Sequence, residues 1–431
     1  MALFDPQSLN PGVRRREVLG WAMYDFANSG YTTVVLTAVF NAYFVGVVAD
    51  GAPWATLAWT LTLGLSNALV MLATPLLGAL ADARAAKKLL LAATTLGCVL
   101  ATAALAGVGR GDLMLAVAAI VVSNFCYAVG EQLTAAFLPE LARREAIGRV
   151  SGWGWSLGYF GGMLTLGLSL GYVLWAQGQG LPATHFVPVS MLITAAVYAL
   201  ASLATFALLK ERARVQPDAR LRGATGQAWS RLRKTWREAA RYRDFRWLLA
   251  TAAAYQAGIS VVIALAAIYA AEVLGFQQTQ TMALIFLVNI AAAAGAFAFG
   301  YWQDRIGHRR ALAFTLWGWV GMVALAVAAT TPAPFWAAAV LAGLCMGSSQ
   351  SAGRALAGLF APADRLAEFY GLWTFATRLA AIAGPVTYGL VTWATGGNHR
   401  LAIGVTGLFF LAGLVLLRKV DVARGQAAAK G

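Results

Sequence analysis

Charge is scarce in this sequence. Only 12% of its 431 residues are charged, against 60% hydrophobic, and the mean hydropathy is +0.66. Soluble domains carry about 25% charged residues, so a water-exposed globule of this size is excluded. A chain of roughly a dozen membrane helices of about 20 residues each fits instead. Cysteine is scarcer still. Cys98, Cys126 and Cys345 each lie in an apolar run, with no CxxC pair and no histidine nearby, which argues against a disulfide framework or a zinc site. The three histidines, His185, His308 and His399, fall at loop edges far apart in the chain. Walker A, HExxH and nucleophile-elbow sequences are missing, so the reading is a non-enzyme with no catalytic residues and no cofactor or metal. The polar head through Arg16 runs into a long apolar stretch without a convincing cleavage site, and no secretory signal is read there.

What is present is apolar sequence in long runs. They cover roughly 20–48, 55–81, 88–109, 113–137, 150–176 and 186–209, then 247–273, 280–302, 311–331, 334–359, 366–395 and 400–417. Each can cross a hydrocarbon core about 30 Å thick. The expected fold is an all-α integral membrane protein of twelve transmembrane helices. They would form two pseudo-symmetric six-helix bundles, residues 1–209 and 247–431, joined by a basic linker at 210–246. The net charge of +15 follows the same topology: 29 of the 33 Lys and Arg fall in the termini, the central loop and the turns on that side. Cytoplasmic loops collect such residues. Both termini and the linker are therefore expected in the cytoplasm, at a plasma (bacterial inner) membrane, and nucleic acid is not an expected partner. In the linker, Trp229, Leu232, Trp236 and Ala240 make an apolar face amid Arg231, Arg233, Lys234 and Arg237. That is the pattern of a helix lying on anionic membrane lipid, with a partner-binding helix as the alternative.

The chain also repeats itself. Gly78-Ala-Leu-Ala-Asp82, followed by Lys87-Lys88, recurs 222 residues later as Gly300-Tyr-Trp-Gln-Asp304, followed by Arg309-Arg310. Phe137-Leu-Pro139 recurs at an offset of 223 as Phe360-Ala-Pro362. Repeated halves are common in secondary transporters, with the site between them near the midplane. Gly300-x-x-x-Asp304-Arg305-x-Gly307-x-Arg309-Arg310 resembles the loop signature of the major facilitator superfamily. The first-half copy departs from it, with Ala83 for the arginine and Ala85 for the glycine. Tyr24-Asp-Phe-Ala-Asn-Ser-Gly-Tyr31, Phe137-Leu-Pro-Glu140, the stretch from Gly148 to Tyr159 and Gln350-Ser-Ala-Gly-Arg354 resemble one branch of it. That branch includes the fungal autophagy-linked vacuolar amino-acid effluxer and bacterial relatives, and the resemblance covers essentially the whole chain. It implies an alternating-access carrier and hints at amino acids. It also implies that Asp82, Asp304, Arg305 and Arg309 hold the halves in one state.

Asp25, Asn28, Ser29 and Thr32 lie at i, i+3, i+4 and i+7, with Tyr31 beside them. The spacing puts the four on one helical face, which must meet protein or a water-filled cavity rather than lipid. A plain helix-packing stripe is the alternative. Asn124, Tyr127 and Glu131 repeat the pattern on the fourth span, and Gln350 and Arg354 lie four apart on the tenth. Glu131 precedes Pro139 by eight residues and Arg354 precedes Pro362 by eight, so both lie about 12 Å in from that shared landmark. An unpaired charge at such depth costs about 2.5–3.5 kcal/mol. Glu131 and Arg354 are therefore expected to pair across the halves or with substrate. Arg378 has no acidic neighbour one turn away and needs a partner from another helix or a ligand. Two deep acids against two deep arginines suit a zwitterion, or two internal ion pairs around a neutral solute. Both options stay open here. Asp25 and Glu131 are the candidates for coupling to a proton or other ion. Trp153, Trp155, Tyr159 and Trp373 stand just inside cytoplasmic turns, as an aromatic interface belt or as a gate. The expected function is a monomeric, proton-coupled secondary transporter of a small-molecule substrate such as an amino acid. A lysolipid or drug exporter, or a receptor or scaffold that transports nothing, is the alternative.

Overall fold

The computed structural model describes residues 4–213, 215, 241–276 and 278–430. Among them are twelve helices of 17 residues or more. The first six are α1 (Arg15–Tyr31), α2 (Ala55–Arg84), α3 (Lys87–Ala104), α4 (Leu113–Ala135), α5 (Ile147–Gly178) and α6 (Ala183–Leu208). The second six are α7 (Arg243–Leu274), α8 (Gln278–Ile306), α9 (His308–Ala328), α10 (Pro332–Phe360), α11 (Leu366–Ala394) and α12 (His399–Leu417), and a short α13 (Val422–Lys430) ends the chain. Apart from α1, which stops at Tyr31 while its apolar run goes on to 48, helix ends fall within about five residues of the apolar runs, because polar residues such as Glu17 and Arg84 extend the outer turns past the hydrocarbon limit. The lipid-facing part of the expected linker helix, Trp229 to Ala240, lies outside the described residues.

Among the described residues, ten helical segments are long and apolar enough to cross a membrane, the first running Arg15–Val48. Helices α10 and α11 fall outside that set. The reason is visible in α10, where Ser348, Ser349, Ser351 and Arg354 are all buried in the protein. A helix enclosed by other helices can carry polar residues that lipid would reject. Beyond Tyr31 the first helix loosens into π-helical turns over Thr32–Ala38 and Phe44–Val48. Such bulges concentrate at functional positions.

Helix α1 packs on α5 and α6, α4 on α2 and α3, α8 on α10, and α7 on α11 and α12. The two sets meet where α2 packs on α11 and where α5 packs on α8 and α10. Glycine permits this closeness. A Cβ at Gly152 would sit 2.4 Å from the Ala296 carbonyl of α8, and one at Gly78 would sit 2.1 Å from the Ala367 carbonyl of α11. Without a hydrophobic drive between helices in lipid, close packing and interhelical hydrogen bonds supply the association.

Candidate functional site

Arg354 of α10 is buried and held by two helices of the first six. Its Nη1 donates to Asp25 Oδ2 of α1 at 2.6 Å. Its Nε donates to the Ser151 hydroxyl of α5 at 3.1 Å, and its Nη2 to the Ser151 carbonyl at 2.7 Å. The guanidinium lies over the rings of Trp21 and Trp155, 4.8 and 5.2 Å from their centroids. Every partner comes from the first six helices, so this one side chain ties the second set of helices to the first. Asp25 and Arg354 keep only 10% and 7% of their side-chain surfaces. In so dry a setting a charge needs both its counter-ion and its hydrogen bonds. Gly154 makes the room, since a Cβ there would stand 2.5 Å from Asp25 Oδ2 and 2.7 Å from Arg354 Nη2.

The second pair is wetter. Arg378 of α11 donates from Nη2 to Glu131 Oε2 of α4 at 3.0 Å, and its guanidinium faces the Tyr127 ring at 5.7 Å. Here the side chains retain 34% (Glu131) and 18% (Arg378) of their surface. Arg378 Nε is buried with no hydrogen-bond partner. The expected pairing of Glu131 with Arg354 is therefore corrected. Equal depth along two helices does not fix which way each side chain points around its axis, and each residue finds its counter-ion elsewhere.

Polar groups around the two pairs are partly satisfied. The Tyr31 hydroxyl bonds Ser123 at 2.8 Å, and its ring stacks on Tyr127 at 5.3 Å. The Tyr198 hydroxyl of α6 donates to Asn28 Oδ1, and Asn124 donates to Ser66 of α2 at 2.9 Å. Gln350 accepts from Gln256 of α7 at 2.8 Å. The amide nitrogen of Asn28, the amide oxygens of Asn67 and Asn124, the Trp155 indole N–H and the Tyr255 hydroxyl are buried without protein partners. Buried polar atoms left unpaired cost about 1–3 kcal/mol each, and a polar ligand or ordered water removes that cost.

At the basic end of the molecule two aspartates act as caps on the opposite set of helices. Asp82, at the end of α2, accepts from the Ala367 and Glu368 amides at 3.1 and 2.9 Å, at the start of α11. Asp304, at the end of α8, accepts from the Gly148 and Arg149 amides at 3.0 and 3.1 Å, at the start of α5. Each carboxylate thus satisfies orphan donors and meets the positive end of a helix dipole. Arg149 Nε adds a bond to Asp304 at 2.8 Å, and Gln132 of α4 donates to both the Thr74 and Ala367 carbonyls at 2.9 Å. Arg305 and Arg309 are exposed and make no ion pair among the described residues.

The tryptophans do not form an interface belt. Trp153 is 1% exposed and donates to the Tyr301 hydroxyl of α8 at 3.0 Å, Trp155 covers Arg354, and Trp373 stands against Gly353. Sequence reasoning missed Trp21, although it lies four residues before Asp25 on the same face. It also missed Ser151, Tyr198 and Gln132, single polar residues in apolar context that carried no spacing signal.

Comparison with known proteins gives a consistent result. Residues 56–430 match the family described as "Vacuole effluxer Atg22 like". The "Uncharacterized MFS-type transporter YxiO" of Bacillus subtilis (strain 168) is 24% identical over 402 residues, covering 92% of this chain and 93% of that protein. "Autophagy-related protein 22-1" of Aspergillus niger is 25% identical over 214 residues, which is 46% of this chain and 35% of that protein. Among solved structures, the human organic anion transporter MFSD10 (TETRAN) superposes with a TM-score of 0.73 at 17% identity, covering 94% of this chain and 99% of that one.

Proposed function

The chain belongs to the Atg22-like vacuole effluxer family of the major facilitator superfamily, and we propose that it is a secondary active transporter moving a small zwitterion, an amino acid foremost, by proton-coupled alternating access. In this reading its twelve helices form two six-helix bundles, residues 1–209 and 247–431, which rock about a site between them. The linker lies on the cytoplasmic leaflet against anionic lipid, both termini are cytoplasmic, and the protein works as a monomer in the inner membrane of a bacterium. The observation that carries the reading is the contrast between the two central ion pairs. Both join a carboxylate of the first six helices to a guanidinium of the second six, and one is dry while the other is open to solvent.

The open pair suits solute. Arg378 Nε is a buried donor without a protein partner, so a carboxylate that reaches it as the helices move gains a bond without competing for the Glu131 one. An ammonium group finds Glu131 and the electron-rich face of Tyr127. The dry pair suits the coupling ion. Protonation of Asp25 removes the charge facing Arg354 and loosens the one side chain that binds α10 to both α1 and α5. The basic end can then part once the Asp82 and Asp304 caps release.

Counterflow into proteoliposomes with labelled amino acids, under imposed pH gradients, tests this. Uptake driven by a proton gradient and abolished in Glu131→Gln is expected. An amino-acid panel that never exchanges, or exchange indifferent to the gradient in both wild type and Asp25→Asn, would overturn it.

A further inference from the structure

The segment before α1 makes contacts that a solvated leader would lack. Asp5 accepts from the Gln7 amide at 3.1 Å and caps a 3-10 turn at Pro6–Ser8. Leu9 then forms an antiparallel bridge with Ala142, flanked by Asn10 N–H to Leu141 O at 2.9 Å and Arg143 N–H to Ser8 O at 3.0 Å. The Asn10 amide donates to the Pro139 and Glu140 carbonyls, both at 3.0 Å, and Arg143 Nε donates to the Leu9 carbonyl at 2.8 Å. Ser8 and Leu9 are almost wholly buried. The segment is fastened to the connection between α4 and α5.

Two of its contacts reach further. Phe4 meets Trp153 edge-on, with centroids 5.4 Å apart. The Ser8 hydroxyl accepts from Arg149 Nη1 at 3.4 Å. Trp153 and Arg149 are the residues that cross to α8: the first donates to Tyr301, the second binds Asp304 and lies over the Tyr301 ring at 5.5 Å. Phe4 and Ser8 thus back the side chains that close one of the two aspartate caps. Where Arg149 follows Gly148, Glu368 follows Ala367, and a carboxylate there cannot add a bond to Asp82 as Arg149 does to Asp304.

We propose that residues 4–10 are a positioning strap that sets the strength of the Asp304 cap, and with it the balance between states closed and open at the basic end. The proposal rests on the reading that the two sets of helices separate at this end. Phe4 and Ser8 touch no substrate. They act through Trp153 and Arg149. An aromatic edge contact made in one state only biases a two-state balance about 2- to 12-fold.

The test uses full-length protein in nanodiscs, with the three native cysteines replaced and spin labels at Glu145→Cys and Arg310→Cys, both exposed positions flanking the cap. Phe4→Ala should enlarge the long-distance population about 2- to 12-fold, Ser8→Ala should shift it in the same direction, and Phe4→Tyr should keep the wild-type distribution. A purely structural role would lower the melting temperature while leaving the distances of folded protein unchanged, and that result overturns the strap. Asp304→Asn separates the two ideas. If it lengthens the distance and Phe4→Ala does not, only the strap fails. If neither lengthens it, the separation of the helix sets fails and the strap fails with it.

Discussion

Asp25 and Glu131 face guanidinium groups at similar distances, yet their surroundings assign them different sensitivities. Removing either partner of the dry pair strands a buried charge, which costs about 3–5 kcal/mol in soluble proteins. Asp25→Asn and Arg354→Gln should each lower the melting temperature sharply, and the double variant should recover most of the loss. The half-solvated Glu131–Arg378 pair should show a coupling of about 1 kcal/mol or less, although its loss should cost more in transport. A Glu131–Arg354 cycle should be additive within about 0.5 kcal/mol, since neither bonds the other. A strong coupling there would contradict the geometry described above. Depth was legible in the sequence, because spacing along one helix counts turns. Partnership was not, because Asp25 and Arg354 are 329 residues apart and Glu131 and Arg378 are 247 apart. Spacing within a helix carries no information about rotation between helices.

At the scale of the element, the clearest test is a departure between the repeats. Gly307, before α9, has φ of +91°, and Ala85, at the end of α2, has φ of +52°. The chain needs the left-handed region in both turns, and alanine holds it against a clash of its Cβ costing about 1–2 kcal/mol. Ala85→Gly should therefore raise stability by about 1 kcal/mol, read as a higher melting temperature, and a lower one would sink the argument. Two glycines of α5 should behave oppositely. Gly167→Ala, with nothing within 4 Å of the added Cβ, should stabilise by up to about 1 kcal/mol through helix propensity. Gly152→Ala should destabilise, because its Cβ would strike the Ala296 carbonyl and push α5 off α8. A Gly152→Ala variant as stable as Gly167→Ala would show that the contact is looser than it stands. The helices themselves were legible from runs of apolar residues, as lipid demands uninterrupted length. The π-helical turns after Tyr31 were not, since Thr-Thr-Val-Val has no residue that signals a bulge.

For the whole molecule, basic residues predict which side each loop occupies. Gly180→Cys should react with an impermeant maleimide from outside the cell and Thr225→Cys should not; the reverse would invert the topology. The repeat offset of 222 residues marked Asp82 and Asp304 as equivalents, but not that each caps a helix of the opposite set, which only assembly shows. The Asp25–Arg354 bond carries a consequence for biosynthesis. At roughly 5–20 residues per second, the 329 residues between the partners take about 16–66 s to synthesise. For that interval the first helix sits in the membrane with its carboxyl group unmatched. It must wait there protonated or hydrated, and the ribosome has nearly finished the chain before the arginine arrives to claim it.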